Sequence, residues 1–164
     1  MSRAFVNEDN AAAQADQPVE RQVSAQPNYV TPAGLTQLQE KVVQLQAMLG
    51  ALKAQGELAN KQREADLLRD LRYFNQRLQS ARVVPLAHPM DKVQIGSRVT
   101  FASDADHEQT VLVVGEDQAD AAAGLINWGS PLGRALLGAQ VGDEVLWQRP
   151  AGDQLIEVLR IEPA

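Results

Sequence analysis

Residues 114–143 read VGEDQADAAAGLINWGSPLGRALLGAQVGD, and this stretch decides the fold of the C-terminal half of the chain. An acidic turn follows the end of one strand, and a second strand, Leu125–Trp128, comes next. Ser130 and Pro131 then supply a helix cap and a proline at the first helical position. The short apolar helix that follows ends at Gly138, a residue type common after helix C-termini. This order of elements predicts an α+β domain.

Further short strands surround this stretch. From Val93 onward, apolar runs alternate with loops such as 104–107 and 150–153, a pattern typical of a mainly antiparallel sheet. We therefore predict five strands and one short helix. The strands are Arg98–Phe101, Thr110–Val114, Leu125–Trp128, Glu144–Trp147 and Leu155–Arg160, and the helix is Pro131–Leu137.

Upstream, apolar residues spaced by threes and fours form two heptad seams, which predict an antiparallel helical hairpin. Pairing the seams places the turn at Gly56, so the arms span about residues 32–54 and 58–82. The alternative is an ordinary pair of helices packed onto a larger core. The first seam is Leu35, Leu38, Val42, Leu45, Leu49 and Leu52, and the second is Leu67, Leu71, Phe74, Leu78 and Ala81. The hairpin tip comprises Ala54, Gln55, Gly56 and Glu57.

The composition excludes several classes of protein. Cysteine is absent, which excludes disulfides and thiolate metal sites and suits a reducing cytoplasm. No run of apolar residues approaches the ~18 that a membrane span requires, so we expect a cytoplasmic protein. The net charge is -6, and residues 83–164 hold five basic residues against twelve acidic ones. Such a chain is a poor free-standing DNA binder, and a protein with basic patches is the better candidate partner.

The chain divides into three predicted segments. Residues 1–28 are rich in Ala, Gln, Asp and Pro and carry almost no large apolar side chain, which predicts a disordered leader. Residues 29–84 form the predicted coiled-coil hairpin, and residues 85–164 form the C-terminal domain.

The order of elements in 114–143, together with the helix entry Tyr29–Leu35, resembles the Gre family of bacterial transcript-cleavage factors. The resemblance implies an N-terminal coiled-coil finger and a C-terminal domain of the FKBP-like fold. It also implies that RNA polymerase is the partner: the C-terminal domain docks on the polymerase, and the finger enters its secondary channel. In the family, an Asp and a Glu at the fingertip help to hold the second catalytic Mg²⁺, and the polymerase itself then cleaves the transcript.

The hairpin tip departs from that pattern. Between Leu45 and Lys61 the only acidic residue is Glu57, so the Asp-x-x-Glu pair is missing. The predicted finger is also shorter than the family's by about one heptad in each arm, or ~10 Å. In both respects the chain is similar to the Rnk branch, relatives with a truncated finger that bind polymerase.

The docking loop of the family carries over to Gly129, Ser130, Pro131 and Leu132. Ser130 and Pro131 match the family's Ser-Pro before the helix, whereas Gly129 stands where relatives often have a polar or acidic residue. The alternative, which does not depend on the resemblance, is that Ser130 and Pro131 only begin the helix, as its cap and its first residue. Trp128 is either packed on the core or an exposed anchor beside the docking loop.

Three functions compete. The first is a regulator of transcription elongation that binds polymerase, occupies the secondary channel and is not itself an enzyme. It would have no cofactor, no metal, no catalytic residue and no small-molecule substrate, and any contact with nucleic acid would be weak and made inside the polymerase complex. The second is an active cleavage-stimulating factor that uses Glu57 alone. The third is a peptidyl-prolyl isomerase, suggested only by the FKBP-like fold.

One further cluster suggests a metal site. The loop around Asp104, Asp106, His107 and Glu108 is acidic, but it lacks the spacing of a calcium loop. A hairpin turn of solvated charges is the better prediction.

Overall fold

The computed structural model of the protein describes residues 19–56, 60–86, 91–104 and 106–164. Residues 39–79 and the segment that ends at Ser24 form one compact unit, and residues 25–38 and 80–164 form a second. Within the described ranges, no helix combines the length and apolar character needed to cross a membrane.

Two long helices form the predicted hairpin. Helix α1 spans Pro32–Lys53 and helix α2 spans Lys61–Ser80. The predicted start of α1 is confirmed: the backbone N–H of Gly34 donates to Thr31 Oγ1 at 3.0 Å, so Thr31 caps the helix. The predicted start of α2 at residue 58 is wrong. Asn60 Oδ1 accepts from the backbone N–H groups of residues 62 and 63, which makes Asn60 the cap and Lys61 the first helical residue.

The apolar seam of the hairpin is confirmed. Both helices contribute to one buried cluster, as the antiparallel pairing of the two seams predicts. Gly56 adopts a left-handed backbone with φ of 62°, which fits its predicted place at the turn. Glu57, the last residue of the predicted tip, lies outside the described residues. The buried members of the cluster are Val42, Leu45, Leu52, Leu67 and Leu71, and Met48, Leu49, Phe74 and Leu78 pack against them.

Residues 20 and 21, which precede the hairpin, contact helix α2. Glu20 accepts a hydrogen bond from Arg72, and Arg21 lies 3.6 Å from the carboxylate of Asp70. The Arg21 guanidinium also stacks 3.9 Å from the ring centroid of Tyr73. Residues 1–28 were predicted as a disordered leader, so these contacts for residues 20 and 21 are a finding that composition did not indicate. Residues 1–18 of that predicted leader lie outside the described part of the chain.

Helix α2 ends at Ser80, two residues before the predicted end. Strands β1 (Tyr29–Val30) and β2 (Arg82–Val83) pair in parallel, and this pairing takes residues 82 and 83 out of the helix. The Arg82 N–H donates to the Asn28 carbonyl at 2.8 Å. This short ladder belongs to the same unit as the C-terminal sheet.

The C-terminal sheet has five strands, which are β3 (Ser97–Ser103), β4 (His107–Val114), β5 (Leu125–Asn127), β6 (Glu144–Trp147) and β7 (Gln154–Pro163). Their order in the sheet is β5-β4-β3-β7-β6. Only β4 and β5 pair in parallel, so the predicted mainly antiparallel α+β class is confirmed. Each predicted strand is present, and the ladders extend β3, β4 and β7 beyond their predicted ends.

One face of this sheet carries the core, and helix α3 (Pro131–Leu136) covers part of it. Leu132 and Leu136 of α3 join the core cluster. Gly133 lets the helix approach closely, because a Cβ atom at this position would lie 2.3 Å from the carbonyl oxygen of Asn127. The buried strand residues are Val99, Phe101, Val111, Val113, Ile156 and Val158.

Candidate functional site

The connection between β5 and α3 is held by its own hydrogen bonds. The side-chain oxygen of Asn127 accepts from the backbone N–H of Gly129 at 2.9 Å. The backbone carbonyl of Asn127 accepts from both the N–H and the hydroxyl of Ser130, at 3.0 and 2.7 Å. Trp128 N–H donates to the carbonyl of Val114 at 2.9 Å, which ties the loop to β4. The loop is therefore fixed on a rigid sheet edge.

Ser130 caps helix α3. Its Oγ atom accepts from the backbone N–H of Gly133 at 3.1 Å, and Pro131 occupies the first helical position. The helix-cap interpretation of this pair is thus confirmed. The Ser130 hydroxyl also donates to the Asn127 carbonyl, so its hydrogen bonds join the loop to the first turn of the helix.

The structure separates the four predicted docking residues. Pro131 is exposed, and Gly129 and Ser130 are half-buried. Leu132 is only 6% exposed and packs in the core, and its side chain also lines part of a groove beside Pro131. Helix geometry causes this, since α3 turns that position toward the sheet. Among these side chains, Pro131 is the one presented at the surface.

The alternatives for Trp128 are also resolved. Its ring packs against the core cluster, and it meets Tyr29 edge-on with 5.5 Å between centroids. Trp128 is therefore a packing residue that joins the loop to the start of the hairpin entry. It is not an exposed anchor.

Two adjoining grooves flank Pro131, and the sequence did not predict them. The smaller, about 300 Å³, runs between α3 and β6. The larger, about 480 Å³, is mostly apolar and runs toward the loop after β6. The smaller is lined by Gly129, Pro131, Arg134, Ala135, Leu146 and Gln148, and the larger by Ile126, Ser130, Pro131, Leu132, Trp147, Gln148, Arg149, Pro150 and Ala151.

At the hairpin tip, the structure describes Ala54, Gln55 and Gly56, and all three are exposed. Their backbone continues from α1 through hydrogen bonds from Ala54 N–H to the Gly50 carbonyl and from Gln55 N–H to the Leu52 carbonyl, each 3.1 Å. None of the three carries a charge. Across the described ranges, Asp, Glu and His side chains form no group of three that could hold a metal ion.

Comparison with known proteins identifies the family. Residues 88–163 match the family model for the C-terminal region of the transcription elongation factors GreA and GreB. The chain is 36% identical over 152 residues to transcription elongation factor GreB of Neisseria meningitidis, a match that covers 82% of this chain and 93% of the relative. It is 37% identical over 121 residues to GreA of Vibrio parahaemolyticus, covering 70% and 75%. The chain therefore belongs to the GreA/GreB family of transcription elongation factors, as its resemblance to Gre proteins predicts.

Among solved structures, the GreA factor homolog 1 protein of Thermus thermophilus aligns with a TM-score of 0.40 at 22% identity. That alignment covers 84% of this chain and 99% of the other.

Proposed function

We propose that this protein binds RNA polymerase through its C-terminal unit and places the hairpin tip in the secondary channel without stimulating transcript cleavage. Membership of the GreA/GreB family supports a role in transcription elongation. The resemblance in residues 114–143 supports RNA polymerase as the partner. In this proposal the protein regulates the polymerase by occupying the channel and is not itself an enzyme.

The composition of the tip carries the proposal. Magnesium requires hard oxygen ligands of negative charge, and family members supply an Asp and a Glu. Here Ala54, Gln55 and Gly56 offer no carboxylate, and Glu57 is the single acid between Leu45 and Lys61. One carboxylate cannot replace a pair that holds a catalytic ion in place.

The reach of the hairpin supports the same conclusion. The comparison with GreB spans 152 aligned positions, but it covers only 82% of the 164 residues of this chain. The number of residues that this chain contributes is therefore smaller than the number of aligned positions. The chain therefore lacks residues that this relative has, and a hairpin shortened by about one heptad in each arm would account for the difference. Seven residues of helix correspond to ~10 Å, and metal coordination requires ~2.1 Å.

A second candidate function is active stimulation of transcript cleavage. The 36% identity to a GreB factor favours it, since the match extends over most of both chains. In that case Glu57 would act with a further ligand from the polymerase. The two candidates share the docking mode and differ only in the chemistry at the tip.

Two measurements test the proposal together. The full-length protein should bind core RNA polymerase in a pull-down, and it should leave the transcript of a stalled elongation complex uncut in the presence of Mg²⁺. The N. meningitidis GreB relative serves as the positive control for cleavage. Absence of polymerase binding contradicts the proposal, and cleavage comparable to that of the control selects the second candidate.

A further inference from the structure

Residues 19–24 pack with the hairpin and not with the part of the chain that directly follows them. Their contacts place them in one compact unit with residues 39–79, whereas residues 25–38 belong to the unit that contains the C-terminal sheet. We call residues 19–24 the strap. Because its chain neighbours belong to the other unit, side-chain contacts with helix α2 hold the strap on the hairpin.

The guanidinium of Arg21 contacts three side chains of helix α2. Its Cζ atom lies 3.9 Å from the ring centroid of Tyr73 and 5.0 Å from that of Phe74. Its Nη1 atom lies 3.6 Å from Oδ1 of Asp70. The two rings meet edge-on with 5.0 Å between their centroids, so they form one aromatic surface beside the guanidinium. Arg21 therefore combines stacking on aromatic rings with an ion pair, two interactions that suit a planar guanidinium.

The strap and helix α2 also match in the order of their charges. Glu20 accepts a hydrogen bond from Arg72, and the next residue, Arg21, pairs with Asp70. An acid followed by a base on the strap thus meets a base and an acid on the helix. If the strap moved by one residue, Arg21 would face Arg72 and the two like charges would repel each other. Charge order therefore selects the register in which the strap lies on α2.

Helix α1 reaches the same aromatic surface. The Nζ atom of Lys41 lies 5.7 Å from the ring centroid of Phe74. Phe74 also packs against the buried apolar cluster of the hairpin seam. The strap, α1 and α2 therefore meet at one side chain, and a bound strap adds contacts where the two helices are held together.

The contacts of the strap lie close to solvent. The side chains of Arg21 and Asp70 are 40% and 27% exposed, and those of Arg72 and Glu20 are 55% and 62% exposed. Each ion pair at such positions shifts an equilibrium by about fivefold at most, and salt screens it. The strap can therefore leave α2 while both helices remain folded.

We propose that the face of α2 from Asp70 to Phe74 is a binding surface for a segment in which an acid is directly followed by an arginine. The strap is its occupant within the same chain, and salt releases it. When bound, the strap covers the ring of Tyr73 and engages the guanidinium of Arg72. When it is released, both groups become available at the surface of the hairpin. The inference is independent of the proposed function, because it concerns contacts within the hairpin unit.

Trypsin cleavage after Arg21 measures the bound fraction of the strap, because the arginine must leave Tyr73 to enter the protease. The rate in the full-length protein is compared with the rate in a free peptide of residues 15–30, which contains no other Lys or Arg. The ratio of the two rates is the protection. We expect about tenfold protection at about 50 mM salt and about twofold at about 1 M salt. Protection below about twofold at low salt, or protection that salt does not change, would overturn the proposal.

Variants of α2 test which side chains hold the strap. Tyr73→Leu should reduce the protection about fivefold and Arg72→Gln about twofold, since each removes one partner. Tyr73→Phe keeps an aromatic ring and should protect as the unmodified protein does. Arg63→Gln is the matched control for Arg72→Gln, because it removes the same charge at an exposed position nearer the tip. Thermal unfolding verifies that each variant is folded, and unchanged protection in folded Tyr73→Leu and Arg72→Gln would contradict the assignment.

An exchange of charges gives a measurement that does not depend on cleavage. The ring current of Tyr73 should move the NMR signals of the Arg21 side-chain protons to higher field, and Tyr73→Leu should remove that shift. Glu20→Arg alone should reduce the shift, whereas Glu20→Arg combined with Arg72→Glu should recover most of it. A double variant that recovers nothing would show that charge order does not select the occupant.

Dilution distinguishes the strap of the same chain from the strap of a second copy. Protection should stay constant over about a hundredfold range of protein concentration, because a contact within one chain does not depend on concentration. Protection that increases with concentration would assign the surface to a second copy of the protein and would overturn the proposal.

Discussion

The Oγ atom of Ser130 accepts a hydrogen bond from the backbone N–H of Gly133 at 3.1 Å, so the residue that matches the family's docking motif is also the cap of helix α3. The same hydroxyl donates to the carbonyl of Asn127. Substitution of Ser130 therefore changes the stability of the domain as well as its surface. Pro131, which is exposed, tests docking more cleanly.

Loss of the cap should lower stability by a small, defined amount. Ser130→Ala removes the acceptor for the Gly133 N–H and should decrease the free energy of unfolding by ~1 kcal/mol. Ser130→Thr keeps a hydroxyl at the cap and should restore most of the loss. Urea unfolding measures both variants. Equal stability of the Ala variant and the unmodified protein would show that the hydrogen bond contributes nothing.

Docking should depend on Pro131. Pro131→Glu places an acid in the first turn of α3, where the helix dipole favours it, so the domain should remain folded. Binding to core polymerase should nevertheless weaken about tenfold, because the exposed ring is replaced by a solvated charge between the two grooves. Ala121→Glu adds the same charge at an exposed site outside the grooves and should bind normally. The docking prediction is refuted by a folded Pro131 variant with unchanged affinity.

Substitution of alanine for two different glycines should change the stability of the protein in opposite directions. A Cβ atom at Gly133 would lie 2.3 and 2.6 Å from the carbonyl oxygens of Asn127 and Trp128, so Gly133→Ala must move backbone and should cost ~1–3 kcal/mol of stability. Gly50 is an exposed position inside α1 with nothing within 4 Å, and Gly50→Ala should stabilise by ~0.5–1 kcal/mol. Urea unfolding of the pair provides the comparison. The same sign for both substitutions would contradict the close packing of α3.

The C-terminal strands and the hairpin seam could be predicted because both rest on local patterns. Alternating apolar residues identified β3 to β7, and heptad spacing identified the residues of the hairpin core. The pairing of Tyr29–Val30 with Arg82–Val83 could not be predicted, since it joins residues far apart in sequence through backbone hydrogen bonds. For the same reason the end of α2 was placed two residues too late.

The candidate site was predicted only in part. The Ser-Pro pair gave the position of the loop, but a local motif does not show which way each side chain faces. Leu132, for example, lies in the predicted docking loop and packs in the core. Arg134, Leu146 and Arg149 meet only when β6 takes its place at the edge of the sheet, and no motif marks them.

The contact between Glu20 and Arg72 should be visible as a shift in titration. The pKa of the Glu20 carboxyl lies below its ordinary value because Arg72 donates a hydrogen bond to the charged form. Since the folded-state pKa is lowered, the contact is fully formed at neutral pH and is lost as the pH falls through that lowered value. Arg72→Gln should raise the pKa of Glu20 toward its ordinary value, as measured by carboxyl NMR. An unchanged Glu20 titration would show that Arg72 is not the cause.

Variants of the hairpin tip distinguish its two predicted differences from the family, the missing acid pair and the shorter arms. Ala54→Asp restores the Asp-x-x-Glu spacing with Glu57, but it should add little cleavage, because the carboxylates would remain ~10 Å short of the metal. Insertion of seven residues in each arm together with Ala54→Asp should give detectable cleavage, because seven-residue insertions preserve the register of the seam. Cleavage by Ala54→Asp alone would show that the hairpin already reaches the metal.

Transcript cleavage by the unmodified protein tests the central claim most directly. A stalled elongation complex with a labelled transcript is incubated with Mg²⁺ and a saturating amount of the protein, and binding to the complex is verified in the same sample. We expect the protein to be bound and the transcript to remain uncut beyond the intrinsic rate of the polymerase. Rapid Mg²⁺-dependent shortening of the transcript by the bound, unmodified protein would contradict the account.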